Sequence, residues 1–345
     1  MKMSKFFPPK IKTAVIGVGY WGPNFIRNLM GHDQAEVIWA CDLSDESLKK
    51  INKYYPNIKL TKNYQDILSD KTIDLLAIAT PPQTHFQIAY NALKANKHII
   101  VAKPLATKSQ DAKKLINLAQ KKGLLLHCDL TYLYTGAIKA IKDLTQNRSL
   151  LGEPLYYDST RSNLGLIQQD INVIWDLVPH DLAILIYCFN LKPTKIFCTG
   201  SKHHGDNTRE EMAHITINYS NNFIAHIHVS WISPVKLRTI LIGGTKKMIF
   251  YDDVEPDEKV KIYDRGISLP TNTVTPFKPI YRSGKIVIPK LENEEALYVE
   301  IDEVIKQILN KKISYENAKM NIEIISLLEA CDESIQKNKP IILDR

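Results

Sequence analysis

Residues Gly17-Val18-Gly19-Tyr20-Trp21-Gly22 place three glycines in the G-x-G-x-x-G spacing. Such a loop turns tightly and lets bare backbone approach a pyrophosphate, while a helix opening at its end offers free N–H groups and a positive dipole end. Pro23 comes next, in a helical first turn where its missing N–H would have had no partner. Asp42 lies 20 residues beyond Gly22, closing the apolar run EVIWAC. A carboxylate there can accept from adenosine ribose hydroxyls and would repel a 2′-phosphate, and no arginine sits beside it. This spacing predicts a dinucleotide site that takes NAD in preference to NADP. A second group, His214, His226 and His228, shares one face of an alternating segment. Clustered imidazoles can bind zinc, but no acid or thiol accompanies them. No metal is expected; a role at a sheet surface or interface is.

The elements needed to position the loop follow from the hydrophobic pattern. Strands are predicted at 12–16, 36–41, 72–80, 98–101 and 124–128, with helices at 23–30, 44–54, from Thr84, and at 109–122. Thr84 and Gln87 have the spacing of a capping box at the start of the third helix. Alternation of strand and helix at these lengths implies βαβ units and a doubly wound parallel sheet. Beyond about residue 150 the texture changes to strands at 156–162, 195–199, 212–219, 223–231, 236–242 and 247–251. Ala213, Ile215, Ile217 and Tyr219 alternate with His214, Thr216 and Asn218, and Phe223 to Trp231 repeats the rhythm after the turn residues Ser220-Asn221-Asn222. A turn there sets His214 opposite His228 in an open, largely antiparallel sheet. Helices at about 293–309 and 315–337 and a final IIL strand close the chain. The Pro- and Thr-containing stretch 264–279 is the least ordered by composition.

The chain has 345 residues, of which 44% are hydrophobic and 24% charged, an ordinary globular composition sized for two domains. The division expected is 1–130 for the dinucleotide and 131–345 for substrate binding and oligomerisation. The net charge of +8 comes from lysines scattered among acids, with no basic run interleaved with aromatics. Nucleic acid is therefore not expected as a partner, although a positive surface favours an anionic small substrate. No apolar run is long enough to span a membrane, and MKMSKFFPPK lacks a signal-peptide core. Cys41, Cys128, Cys188, Cys198 and Cys331 are odd in number and widely spaced, which predicts reduced, buried thiols and a cytoplasmic location.

Three further motifs carry a resemblance: Ala79-Thr80-Pro81-Pro82-Gln83-Thr84-His85, then Ala102-Lys103-Pro104, then Trp175-Asp176-Leu177-Val178-Pro179-His180-Asp181. With the glycine loop, they resemble the Gfo/Idh/MocA family of NAD(P)-dependent oxidoreductases over essentially the whole chain. Gly19-Tyr20-Trp21-Gly22-Pro23-Asn24, the run Arg161 to Gln168, His226 to Trp231 and Tyr251-Asp252-Asp253 are similar to the branch of UDP-N-acetylglucosamine 3-dehydrogenases. The resemblance implies a Rossmann domain, then an α/β domain whose open sheet mediates homodimer or homotetramer formation, with the active site between the domains. It implies cofactor contacts at Gly17, Gly19, Tyr20, Trp21, Gly22, Asp42, Thr80, Pro81, His85 and Lys103. Catalytic roles fall on Lys103, Asp176 and His180, and substrate contacts on Arg161, Asn163, Gln168, Asp176 and His180. Two positions depart from the family pattern: Ala102 stands where relatives usually carry glutamate, and Leu130 where members of that branch usually carry histidine.

Elementary chemistry agrees with these roles. Oxidising a sugar hydroxyl needs a base for its proton while hydride leaves the carbon; an imidazole with an ordinary pKa near 6.5 is a competent acceptor. Asp176 lies four residues before His180, on the same face if the segment is helical, and can orient the ring. Pro179 is tolerated if that helix begins near Asp176. Lys103 supplies a cation to hold the reacting oxygen; either it or His180 can take the proton. The activity implied is oxidation of the C3 hydroxyl of a nucleotide-linked hexose to a 3-keto sugar. The alternatives are a dehydrogenase or reductase of another sugar nucleotide or a free polyol, and a non-catalytic NAD-binding regulator.

Overall fold

The run LLAI at Leu75–Ile78 has every residue buried, as does most of IKTAVI at Ile11–Ile16, so both strands are covered on both faces. Continuous apolar strands of this kind belong in the middle of a parallel sheet. In the computed structural model, which describes residues 10–165, 167–168, 170–204, 209–268 and 280–343, that is where they lie. The amino-terminal segment before Lys10, Leu166 and most of the stretch 264–279 fall outside the described residues.

The elements alternate through β1 (Ile11–Ile16), α1 (Gly22–Met30), β2 (Ala35–Cys41), α2 (Asp45–Tyr54), β3 (Lys59–Thr61), α3 (Tyr64–Ser69), β4 (Leu75–Ile78), α4 (Pro82–Lys94), β5 (His98–Ala102), α5 (Ser109–Lys122) and β6 (Leu126–Asp129), followed by a 3₁₀ turn at Thr131–Tyr134. The six strands pair in parallel in the order β3-β2-β1-β4-β5-β6, the doubly wound Rossmann order with its switch point between β1 and β4. The second series runs α6 (Gly136–Gln146), β7 (Pro154–Leu164), α7 (Val173–Phe189), β8 (Pro193–Ser201), β9 (Met212–Tyr219), β10 (Ile224–Ser230), β11 (Ile232–Gly244), β12 (Met248–Asp252), β13 (Val260–Tyr263), β14 (Gly266–Ser268), β15 (Ile280–Arg282) and β16 (Ile286–Val287). Then come α8 (Ala296–Leu309), α9 (Glu316–Lys337) and β17 (Ile341–Ile342).

Nine strands form the second sheet in the order β16-β13-β12-β11-β7-β10-β9-β8-β17, antiparallel except where β10 pairs with β7. The β9–β10 hairpin has the predicted register: Ala213, Ile215 and Ile217 with Ala225, Ile227 and Val229 are buried on the face against which α7 packs. On the other face His214 lies opposite His228, their rings stacked at 4.2 Å.

The chain divides into two compact units, Met1–Tyr134 with Glu294–Ser326, and Thr135–Asn293 with Leu327–Arg345. The sequence places 131–345 wholly in the second domain; residues 131–134 and 294–326 instead belong with the first. The cause is apolar burial. Leu297, Ile301, Val304, Ile305 and Ile308 of α8 share one core with Phe25, Ile26 and Leu29 of α1 and with Ile11 and Val15 of β1. The ends of the first unit are further joined by Arg27, whose guanidinium grips the Glu295 carboxylate. All five cysteines are buried and none forms a disulfide.

Candidate functional site

β1 ends at Ile16 and the chain turns at Gly17 with φ +87°, a left-handed conformation natural to glycine. A Cβ at Gly17 would stand 2.6 Å from the Ala79 carbonyl carbon at the end of β4, and one at Gly22 would stand 2.0 Å from the Gly17 oxygen. These two glycines are required by the fold of the loop itself. Gly19 is different, because a Cβ there meets nothing within 4 Å. The middle of the loop is thus open backbone at the β1/β4 switch point, the cradle that a pyrophosphate needs. Asp42, just past β2, accepts from Val18 N at 2.7 Å and from Ser44 N at 2.8 Å, one on each oxygen. Its carboxylate ties the end of β2 to the loop, and each oxygen keeps a further lone pair that can take a ribose hydroxyl. Tyr20 is 87% exposed, whereas half-buried Trp21 donates its indole N–H to Asp129 Oδ2 at 2.5 Å. These residues fit a dinucleotide: the Gly17–Gly22 backbone would hold its pyrophosphate and Asp42 its ribose.

Thr80 and Pro81 form the corner between β4 and α4. The helix starts at Pro82 rather than at the predicted Thr84 cap. Thr84 already lies in the first turn, and its hydroxyl turns back to Thr80 Oγ1 and Pro81 O. His85 also departs from expectation, being only 1% exposed. Its Nδ1 lies 2.7 Å from Pro104 O and its Nε2 2.7 Å from Thr80 O, so it joins the loops after β4 and β5 instead of presenting itself to a cofactor. Burial, with the Lys103 charge adding to it, pushes the His85 pKa down against the pull of the two carbonyls. Lys103 follows β5 directly, half-buried and joined to Pro104 by a cis peptide bond.

In the second unit Asp176 and His180 lie one turn apart near the start of α7. That helix begins earlier than predicted. Asn172 caps it by accepting from Trp175 N at 3.0 Å, so Pro179 sits in the helix interior and not in a first turn. Lacking an N–H, Pro179 leaves the Trp175 carbonyl without its helical donor. Asp176 Oδ2 receives the indole N–H of Trp231 at 3.0 Å. The same indole would meet a Cβ at Gly165 at 2.9 Å, and the Asn163 amide nitrogen would stand 3.2 Å from that same Cβ. Asn163, Gly165, Trp231 and Asp176 therefore gather around one point, and Gln168 is half-buried farther along the chain. Arg161 is not an open substrate contact. Its side chain is 4% exposed and its Nε donates at 3.0 Å to Asp181, which is itself 1% exposed. On β7 its side chain belongs to the buried interior, and Tyr157 Oη adds a second hydrogen bond to the same carboxyl at 3.3 Å.

Sequence reasoning missed Asp181, the residue after His180, and it missed a buried polar cluster in the first unit built from His127, Asp129 and Glu300. Adjacency to His180 was the available signal for the former. None existed for the latter, because Glu300 lies about 170 positions away in the chain. Among the described residues no helix is long and apolar enough to cross a membrane, and no group of three or more His, Cys, Asp or Glu side chains could hold a metal ion.

The family model described as "Oxidoreductase family, NAD-binding Rossmann fold" (GFO_IDH_MocA) matches residues 11–130, and that of the GFO/IDH/MocA C-terminal domain matches 151–250. UDP-N-acetylglucosamine 3-dehydrogenase of Acidithiobacillus ferrooxidans is 24% identical over 303 residues, covering 86% of this chain and 88% of that protein. Inositol 2-dehydrogenase of Salmonella typhimurium is 23% identical over 194 residues, covering 54% and 57%. The chain spans from about half to three quarters of the curated relatives it matches first. Among solved structures, GenD2 from gentamicin A biosynthesis in complex with NAD superposes with a TM-score of 0.83 at 18% identity, covering 100% of this chain and 99% of that one.

Proposed function

Since the chain belongs to the Gfo/Idh/MocA oxidoreductase family and carries its NAD-binding Rossmann fold, we propose that it oxidises the C3 hydroxyl of a nucleotide-linked hexose, UDP-N-acetylglucosamine or a close relative, to the 3-keto sugar. The observation that carries the reading is the mounting of Asp176. Trp231 fixes that carboxylate one helical turn before His180, in a unit whose companion holds an open dinucleotide cradle. Bound NAD supplies the acceptor for the hydride that leaves the sugar carbon. His180 and Lys103 divide the remaining work, one taking the hydroxyl proton and the other steadying the oxygen. Asp176 orients the imidazole and offsets its charge. Asn163 and Gln168 contact the sugar or its diphosphate. The sugar-nucleotide class rests on the relative that aligns over 86% of this chain. The open face of the nine-stranded sheet joins copies of the chain into a dimer or tetramer.

The test is incubation with NAD and a panel of UDP-sugars in the presence of a 2-oxo acid that regenerates the cofactor. A product lighter by two hydrogens is expected, and Lys103→Ala and His180→Ala should each lower kcat by about a hundredfold or more. No ketone from any UDP-sugar sinks the proposal. A free-polyol dehydrogenase is the second reading, favoured by the inositol 2-dehydrogenase relative; calorimetry separates the two, because an enzyme for free polyols ignores UDP.

A further inference from the structure

A dry cluster of ionisable groups lies at the end of β6, in the first unit. Glu300, reaching in from α8, is fully buried. Its Oε1 accepts from Leu130 N at 3.0 Å and meets His127 Nε2 at 2.8 Å, while its Oε2 finds no hydrogen-bond partner. Asp129 is 3% exposed and differently served. One of its oxygens takes the Trp21 indole N–H at 2.5 Å; the other takes the Thr131 N–H at 3.1 Å and the Thr131 hydroxyl. Around the pair stand Cys128 and His127 of β6, the Tyr134 hydroxyl 3.4 Å from His127, Glu303 of α8 and the Asn317 amide of α9, with the Lys103 charge acting on Cys128.

Two neighbouring carboxyls in such a site cannot both be ionised, so one keeps its proton. Asp129 holds the charge because three donors converge on it. Glu300 is the acid, since its buried Oε2 has nothing to accept from. Burial first, then the Asp129 charge, hold the Glu300 pKa well above the carboxylate range. Burial alone brings His127 down to about 3, a neutral ring beside a neutral acid. The Asp129 charge thus meets, besides Thr131, the indole of Trp21, which belongs to the glycine loop.

We propose that Asp129 is a positioning residue for the cofactor, anchoring the Trp21 indole so that the Gly17–Gly22 loop keeps the shape that receives a pyrophosphate. This rests on the NAD reading of that loop and is independent of the sugar. A charge-assisted hydrogen bond at 2.5 Å between half-buried and buried partners is the strong kind, and its loss should be felt in binding.

The test is calorimetric titration of the full-length protein with NAD, with no sugar present. Asp129→Asn, which keeps shape but removes charge, should weaken NAD binding about tenfold or more. Trp21→Phe should do the same, and the double variant should be no worse than the weaker single one, because both remove one interaction. Effects that multiply show that Asp129 does not act through Trp21 and overturn the proposal, as does Asp129→Asn binding within about twofold of the parent. Should Asp129→Asn fail to fold, the pH dependence decides. NAD affinity of the parent should fall toward alkaline pH as Glu300 ionises beside Asp129, and Glu300→Gln should abolish that fall. Identical profiles for the two proteins overturn the assignment. A parent that binds no NAD at any pH overturns the cofactor reading and this proposal with it, whereas NAD binding without sugar oxidation leaves this one standing.

Discussion

Replacing Arg161 with methionine distinguishes a buried brace from a ligand contact, and the structure sets the size of the effect. The Arg161 guanidinium and the Asp181 carboxyl are 4% and 1% exposed and 3.0 Å apart. Removing the cation leaves Asp181 in a dry site with the Tyr157 hydroxyl as a remaining donor. The carboxylate then either stays charged without its counter-ion, a loss of about 3 to 5 kcal/mol for a broken buried pair, or takes a proton. Holding a carboxyl of ordinary pKa about 3.9 protonated at pH 7 costs about 4 kcal/mol, at about 1.4 kcal/mol per pH unit. The two routes agree at neutral pH and separate below it. If Asp181 protonates, the stability gap between Arg161→Met and the parent narrows by about 1.4 kcal/mol for each unit the pH is lowered. Urea unfolding followed by circular dichroism at about pH 7 and about pH 5.5 reads this directly. The double variant Arg161→Met/Asp181→Leu should recover most of the loss, since removing both charges leaves no orphan. An Arg161→Met protein that unfolds within about 1 kcal/mol of the parent at both pH values, yet binds sugar nucleotide poorly, would refute the brace and restore Arg161 as a substrate residue.

The remaining predictions concern the first unit. Gly17→Ala forces a Cβ to 2.6 Å from Ala79 at φ +87° and should lower the melting temperature, whereas Gly19→Ala meets nothing within 4 Å and should leave it unchanged while weakening NAD binding about tenfold or more; thermal unfolding with and without NAD separates the two, and equal behaviour removes the pyrophosphate cradle. His127, held neutral by burial with its pKa lowered to about 3, binds its proton more readily unfolded than folded. Its contribution is present above the ordinary value near 6.5 and is lost as pH falls through that value toward 3, about 4 to 5 kcal/mol in all. Acid titration of the urea midpoint should therefore flatten in His127→Gln, and an unchanged slope counts against a neutral His127.

What could be read from the chain alone was local. The loop from Gly17 to Asp42 is legible because one β-α-β passage holds all its parts, and the hairpin from Met212 to Ser230 because period-two alternation fixes its register. Helix α5 is legible to the residue because Gly123, at φ +65°, ends it. Legibility fails where a residue's meaning depends on a distant partner. Arg161 reads as a substrate contact until Asp181 is found beside it, and α8 reads as part of the second half until its apolar stripe is seen on α1. Asn172 hid the true start of α7 because its cap lies before any apolar periodicity that could announce a helix. Glu300 and Asp129 are two acids among 37, and nothing short of the fold brings them together.

The same contrast explains how α7 can carry chemistry while lacking a hydrogen bond at Pro179. The helix is held from several sides by acids, one buried and two half-buried: Trp231 on Asp176, Arg161 on Asp181, and Asp332 receiving both the Trp175 indole at 2.7 Å and the Asn172 amide at 3.2 Å. These bonds lie on residues flanking His180 before and after, so the turn that bears the imidazole is fixed by side chains where the backbone ladder is interrupted. In the proposed reaction an imidazole on so constrained a segment would lose little freedom when a substrate arrives, and that preorganisation is what proton transfer in a fixed geometry requires. Structural acids therefore brace the candidate catalytic groups for a physical reason: Asp181 on α7 and Asp332 on α9 hold still the helix turn that carries Asp176 and His180.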